Sequence, residues 1–275
     1  MRLEITWRRM HAAAILASLS LFGALPVVGQ SGTQVSRPPV VSGYLKPEQR
    51  PDHRVFLPAP PAPESILGAA DMAMYRTTRT LEGSARWQLA AHDADIAQRD
   101  LLRDFKCSLG VDLGAVPAPA TTRFLTRASA DLFPLVGASK DYYKRPRPFL
   151  VENLPLCIVP SEELARGGSY PSGHSATGWL YALLLAEAAP DHAAAIMGRG
   201  RAYGESRVVC GVHYLSDIEG GRTLATTLVA AQSGSAEFAA DLAAARSEVG
   251  TLLKNGASGD AAACTNEASE LKTPW

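Results

Sequence analysis

Apolar residues recur at three- and four-residue steps along most of this chain, and strand-like alternation is nearly missing. Ile66, Ala70, Ala73, Thr77 and Leu81 form one series; Trp87, Ala90, Ala94, Ala97, Leu101 and Phe105 form the next. Such spacing puts an apolar stripe on one face of an amphipathic helix. Further helices are predicted from Thr121 to Tyr142, kinked or interrupted near Pro134, and from Ser172 to Ala189, stopped by Pro190. Three more cover Ala193 to Arg207, Asp217 to Gln232 and Ser235 to Leu253. Arg145-Pro146-Arg147-Pro148 must leave the helix, because proline disfavours helix for the residue before it. The expected fold class is all-α: a single compact helical domain over 64–254, with no large sheet. The chain has 275 residues, 47% of them hydrophobic, which is enough for one core of fair size. Its formal net charge is zero, so no basic excess points to a nucleic-acid partner.

The two ends read differently. Arg2, Arg8 and Arg9 precede an apolar stretch from Ala12 to Leu25, and Val27 and Gly29 then offer a cleavage site. That order predicts a secretory signal over 1–29. A Pro-rich extended leader over 30–63 follows, and a loose polar tail over 255–275 closes the chain. The most apolar later run, Trp179 to Ala189, is about half the ~20 residues a membrane span needs. The mature chain is therefore expected to be periplasmic or secreted, without a membrane span. Four cysteines, Cys107, Cys157, Cys210 and Cys264, favour disulfides in an exported chain, and three full pairings are open. Cys210 is read as structural rather than as a reactive thiol. The sequence leaves a homo-oligomer open.

Three blocks carry the chemistry. Lys140 stands seven residues before Arg147-Pro148; Pro171-Ser172-Gly173-His174 follows; Ser206-Arg207 leads to His213 and then Asp217. Ser172 has the position of an N-cap, so Gly173 and His174 would open a helix whose free N–H groups suit an anion. Gly173 has no side chain to block close backbone approach. Ser216-Asp217-Ile218-Glu219 fits a capping box, which puts His213 in the turn before the next helix. From there Asp217 can fold back to one ring nitrogen of His213 and leave the other free to attack. The active site is thus expected at helix N-termini. Lys140, Arg147 and Arg207 are the candidate cations for phosphate oxygens. No cluster has metal-ligand spacing, so no metal and no cofactor are expected.

Together the blocks resemble the three-part signature of the type 2 phosphatidic acid phosphatase superfamily. Gly168-Ser169-Tyr170-Pro171-Ser172-Gly173-His174 is most similar to the secreted class A acid phosphatases, which carry threonine where this chain has Ser175. The similarity runs from about Leu57 to Arg246 and includes Asp71-Met72-Ala73-Met74-Tyr75. The resemblance implies His213 as a nucleophile that carries the phosphoryl group, Asp217 as its orienting carboxylate and His174 as the general acid. It further implies phosphate binding by Lys140, Arg147, Ser172, Gly173 and Arg207. Ser206 completes the motif and is read as a packing residue rather than a catalytic one. The expected activity is metal-independent hydrolysis of soluble phosphate monoesters with broad specificity, with phosphotransfer to alcohols open. A vanadate-dependent haloperoxidase and a non-catalytic phosphate-binding envelope protein are the alternatives. His53, His92 and His192 are expected at the surface.

Overall fold

Serine and aspartate start many of the helices. In this computed structural model, which describes residues 41–256 and 261–271, the first is α1 (His53–Phe56), where Asp52 accepts from the Arg54 amide. The next, α2 (Ile66–Thr77), is capped by Ser65. Ser84 caps α3 (Ala85–His92), which is followed by α4 (Gln98–Asp104) and α5 (Lys106–Leu109). Then come α6 (Pro119–Tyr143), α7 (Pro148–Val151) and α8 (Glu162–Arg166), the last capped by Ser161. Ser172 caps α9 (Gly173–Ala188), and α10 (Ala193–Val209) follows. Next are α11 (Leu215–Gln232), α12 (Ala236–Lys254), capped by Ser235, and α13 (Ala261–Glu270). Each side-chain cap satisfies one backbone N–H that the first turn leaves unpaired. No strand occurs among the described residues, so the fold is all-α as expected. The predicted signal and the start of the leader lie outside the described residues.

Helix α9 is the central element. Leu180, Tyr181, Ala182, Leu184 and Leu185 are all buried, and α6, α10, α11 and α12 pack around it. A helix covered on all sides can be apolar around its whole circumference. No helix among the described residues is long and apolar enough to cross a membrane.

Four sequence expectations change. The series from Trp87 to Phe105 is not one helix: the chain breaks at Asp93, whose carboxylate is drawn into a buried ion pair with Arg199 at 2.6 Å. Helix α6 runs through Pro134, which sits on the exposed face, where water can serve the carbonyl that loses its partner. The segment expected to be loose contains α13, joined to the body by a Cys107–Cys264 disulfide. The second disulfide, Cys157–Cys210, makes Cys210 structural, as read from the sequence. His53 is buried, with its ring 5.5 Å from that of Tyr142, rather than lying on the surface.

Candidate active site

The order of the helices brings the three blocks to one end of the bundle. Ala182 lies against Gly200, Gly178 against Tyr203 and Ser175 against Gly204, so α9 and α10 run antiparallel. Arg207, near the C-terminus of α10, therefore returns to the N-terminus of α9. A tight turn then starts α11 at the same end. Gly211 in that turn has φ +83°, and a Cβ there would meet the Arg79 guanidinium at 2.4 Å. That guanidinium caps the end of α10 through the carbonyls of Val208 and Val209. Gly221 lets α11 approach α9, since a Cβ there would strike the Ser172 carbonyl at 2.6 Å. The Ser172 amide donates to the Asp217 carbonyl at 2.9 Å, which ties the second block to the third.

His213 is 2% exposed and polarised by its neighbours. Its Nδ1 lies 3.2 Å from Asp217 Oδ2, and its Nε2 lies 3.0 Å from Arg147 Nη1. A guanidinium only donates, so Nε2 must carry the lone pair and Nδ1 the proton. Burial, then the charges of Arg147, Lys140 and Arg207, push the His213 imidazole well below its ordinary value. Burial raises Asp217, against the opposing pull of Arg145 and the Tyr214 amide.

His174 stands on the first turn of α9. Its Nε2 faces the Ala94 carbonyl at 3.0 Å, in the loop between α3 and α4. That contact puts a proton on Nε2 and leaves Nδ1 to exchange protons. Burial, then Arg207, lowers this histidine to about 3. The loop is itself held in place. Ser206 donates to Asp93 at 2.5 Å, Arg199 grips Asp93, and Tyr203 donates to the Asp95 carbonyl at 2.8 Å. Ser206 therefore does more than pack: it anchors the loop that orients His174.

The cations converge from different elements. The Lys140 ammonium donates to the Gly168 carbonyl, and burial followed by Arg147 lowers it to about 7. Arg147 donates to Leu164 at 2.7 Å and to Val212 at 2.9 Å, both carbonyls, which fixes the plane of its guanidinium. Arg207 is 1% exposed, and its Nε and Nη1 find no hydrogen-bond partner among the described residues. A buried guanidinium without partners is costly, and an anion would supply them. A Cβ at Gly173 would meet only Val136, at an ordinary 3.4 Å, so packing alone does not demand glycine there. The glycine leaves the N-terminus of α9 open to close approach. No group of three or more His, Cys, Asp or Glu side chains suited to a metal occurs among the described residues.

The capping box read from the sequence is not the one formed. Tyr214 is the N-cap of α11, and its amide donates to Asp217 at 2.9 Å. Glu219 pairs with Arg222 instead, and Ser216 bonds to Asp71. The sequence reading also missed Arg145 and Asp71. Arg145 Nη1 lies 2.7 Å from Asp217 Oδ1, and its Nη2 lies 2.8 Å from Asp71 Oδ2. The available signal was a second arginine two residues before Arg147.

Comparison with known proteins agrees with this architecture. The PAP2 superfamily matches residues 122–235, a stretch that contains every residue of the three blocks. The chain is 40% identical to an acid phosphatase of Zymomonas mobilis over 199 residues, covering 72% of this chain and 75% of that protein. It is 36% identical to a non-specific acid phosphatase of Providencia stuartii, over 89% of this chain and 98% of that one. A non-specific acid phosphatase of Salmonella typhimurium is 34% identical, over 76% and 84%.

Proposed function

The chain belongs to the PAP2 superfamily as a class A-like acid phosphatase, and we propose that it hydrolyses soluble phosphate monoesters through a phosphohistidine on His213. The observation that carries this reading is the polarity of His213. Its Nδ1 is committed to Asp217, and its Nε2 lone pair faces the Lys140, Arg147 and Arg207 side of the site.

In the first step Nε2 attacks phosphorus and the bond to the leaving oxygen breaks. Protonated His174 gives its Nδ1 proton to that oxygen, and the alcohol departs. Asp217 stabilises the positive charge that forms on the phosphorylated ring. Water then attacks phosphorus, His174 Nδ1 takes its proton, and the P–N bond breaks to restore His213. Lys140, Arg147, Arg207, the Ser172 hydroxyl and the Gly173 amide hold the phosphoryl oxygens as charge shifts among them. These side chains supply the positive charge that a metal would supply elsewhere, which supports metal independence.

Bound substrate changes the titration. A dianionic phosphoryl group beside His174 favours the imidazolium and raises it from about 3. The acid is therefore protonated at mildly acidic pH only when substrate is present, and an acidic optimum is expected. A profile that keeps rising well above neutral pH would contradict this assignment.

The decisive experiment is turnover of p-nitrophenyl phosphate with a chelator present, repeated with His213→Ala. Activity should survive chelation and fall by at least about 10³-fold in the variant. Loss on chelation, or an active variant, overturns the mechanism. Alcohols added at high concentration should intercept the phosphohistidine and yield a new phosphate ester. Export through the 1–29 signal belongs to the same proposal; cell fractionation that finds the chain uncleaved in the cytoplasm would remove it.

A further inference from the structure

Asp217 is fully buried, and its two oxygens are divided between two tasks. Oδ2 accepts from the Tyr214 amide and faces His213 Nδ1. Oδ1 is taken by Arg145 at 2.7 Å. That guanidinium lies over the Tyr214 ring at 4.0 Å and donates to Ser216 Oγ at 2.7 Å with the same nitrogen. Its other nitrogen reaches Asp71, on α2, at 2.8 Å. Asp71 in turn accepts from the Ser216 amide at 3.0 Å and from the Ser216 hydroxyl. A helix outside the three blocks thereby caps the first turn of α11 and fixes the arginine that holds Asp217.

We infer that Arg145, clamped by Asp71, is a positioning residue for phosphoryl transfer: it aims the Asp217 carboxylate at His213 and so orients the nucleophile. The inference rests on the reading of His213 as nucleophile. Only a fork can do this, because one side chain must span Ser216, Asp217 and Asp71 at once; a lysine brings the charge but a single nitrogen. Arg145 points away from the phosphate cations, since its three polar contacts are all with this network. Without it, Asp217 Oδ1 would be buried with no donor, and the carboxyl could turn away from the imidazole.

Charge supports the geometry. Burial alone would lower Arg145, yet Asp217 and Asp71 raise it above its ordinary value. Arg145 opposes the burial that raises Asp217. The charged groups around Asp217 are Arg145 and Asp71 on one side, and Lys140, Arg147 and His213 on the other. The Tyr214 and Tyr170 hydroxyls complete its titratable surroundings. Loss of Arg145 therefore lets Asp217 take a proton at higher pH. A protonated Asp217 no longer stabilises a charged His213.

The test compares Arg145→Gln, Arg145→Lys and Asp71→Asn with wild type and His213→Ala. Each rate is expressed per sulfate-binding site, so that unfolded protein drops out. Arg145→Gln should lower kcat by about 10- to 100-fold, by analogy with the partners that orient metal-ligating side chains. Its acid limb should move to higher pH while sulfate affinity stays unchanged. Asp71→Asn should show the same pattern with a smaller loss, and Arg145→Lys should recover part of the rate. An unchanged kcat and acid limb, or sulfate affinity that falls in step with kcat, overturns the inference. If Arg145→Gln does not fold, the other two variants decide by the same criteria. An active His213→Ala would remove the proposed mechanism itself; an inactive one beside unaffected Arg145 and Asp71 variants removes only this inference.

Discussion

The two histidines of the site are supported in opposite ways. His213 faces a buried carboxylate, which Arg145 and Asp71 hold from behind. His174 faces a neutral backbone carbonyl, Ala94, on a loop anchored by Asp93, Arg199 and Ser206. No carboxylate pairs with His174 among the described residues. The difference follows from the two jobs. A ring that becomes cationic when phosphorylated gains from a fixed negative partner. A ring that must give its proton away would be weakened as an acid by the same partner. A carbonyl fixes the tautomer without holding the proton in place.

The largest test of this contrast is Asp217→Asn. It keeps the shape of the carboxylate but removes its charge, and kcat should fall by about 10³- to 10⁴-fold for every substrate, as in other His–Asp pairs. A loss that varied strongly with the leaving group would mean that the roles are exchanged.

His174→Ala should instead depend on the leaving group. In kcat/KM, which reports only the phosphorylation step and not the later attack by water, alkyl phosphates should lose about 10²- to 10⁴-fold, the usual contribution of a general acid, and p-nitrophenyl phosphate much less. Equal losses on both substrates would break the assignment.

A smaller effect is visible in binding. His174 stands at about 3 and Lys140 at about 7, both below their ordinary values, and His213 is lowered as well. An anion favours the charged forms and raises all three, so binding must take up protons, and affinity must tighten as pH falls from about 8 toward 5. Sulfate stays a dianion over that range, so the change comes from the protein. Calorimetry in buffers of different ionisation enthalpy should show net uptake of up to about one proton near neutral pH. Proton release would contradict the cationic pocket.

The smallest expected effect on turnover comes from Cys264→Ser. The Cys107–Cys264 bridge ties α13 to the body, and Glu267 on that helix reaches Arg199 at 3.4 Å. Its removal should cost about 2–5 kcal/mol of stability, read as a lower Tm, with kcat nearly unchanged. A large loss of kcat would show that α13 supports the His174 loop more firmly than the comparison implies.

The legible parts share a local cause. The long helices from 119 to 254 show in apolar spacing, and α9 and α12 also in their serine caps, because both signals act over a few residues. The break at Asp93 was not legible, because its reason is Arg199, more than a hundred residues away. The helical series predicted across that break was locally sound and lost to a buried ion pair. The capping box at Ser216 failed similarly: Asp71, from another helix, took the place that Glu219 was expected to fill.

The sequence by itself determined the helical class, the three blocks and the chemistry each side chain can perform, since residue type and short-range spacing set those. Tertiary structure alone decided which cysteines pair, which nitrogen of each histidine is free, and that Asp71 and Arg145 stand behind Asp217. Those outcomes depend on groups far apart in the chain meeting in a buried, weakly screened place. There a single hydrogen-bond partner fixes a tautomer, and an unpartnered charge is too costly to leave.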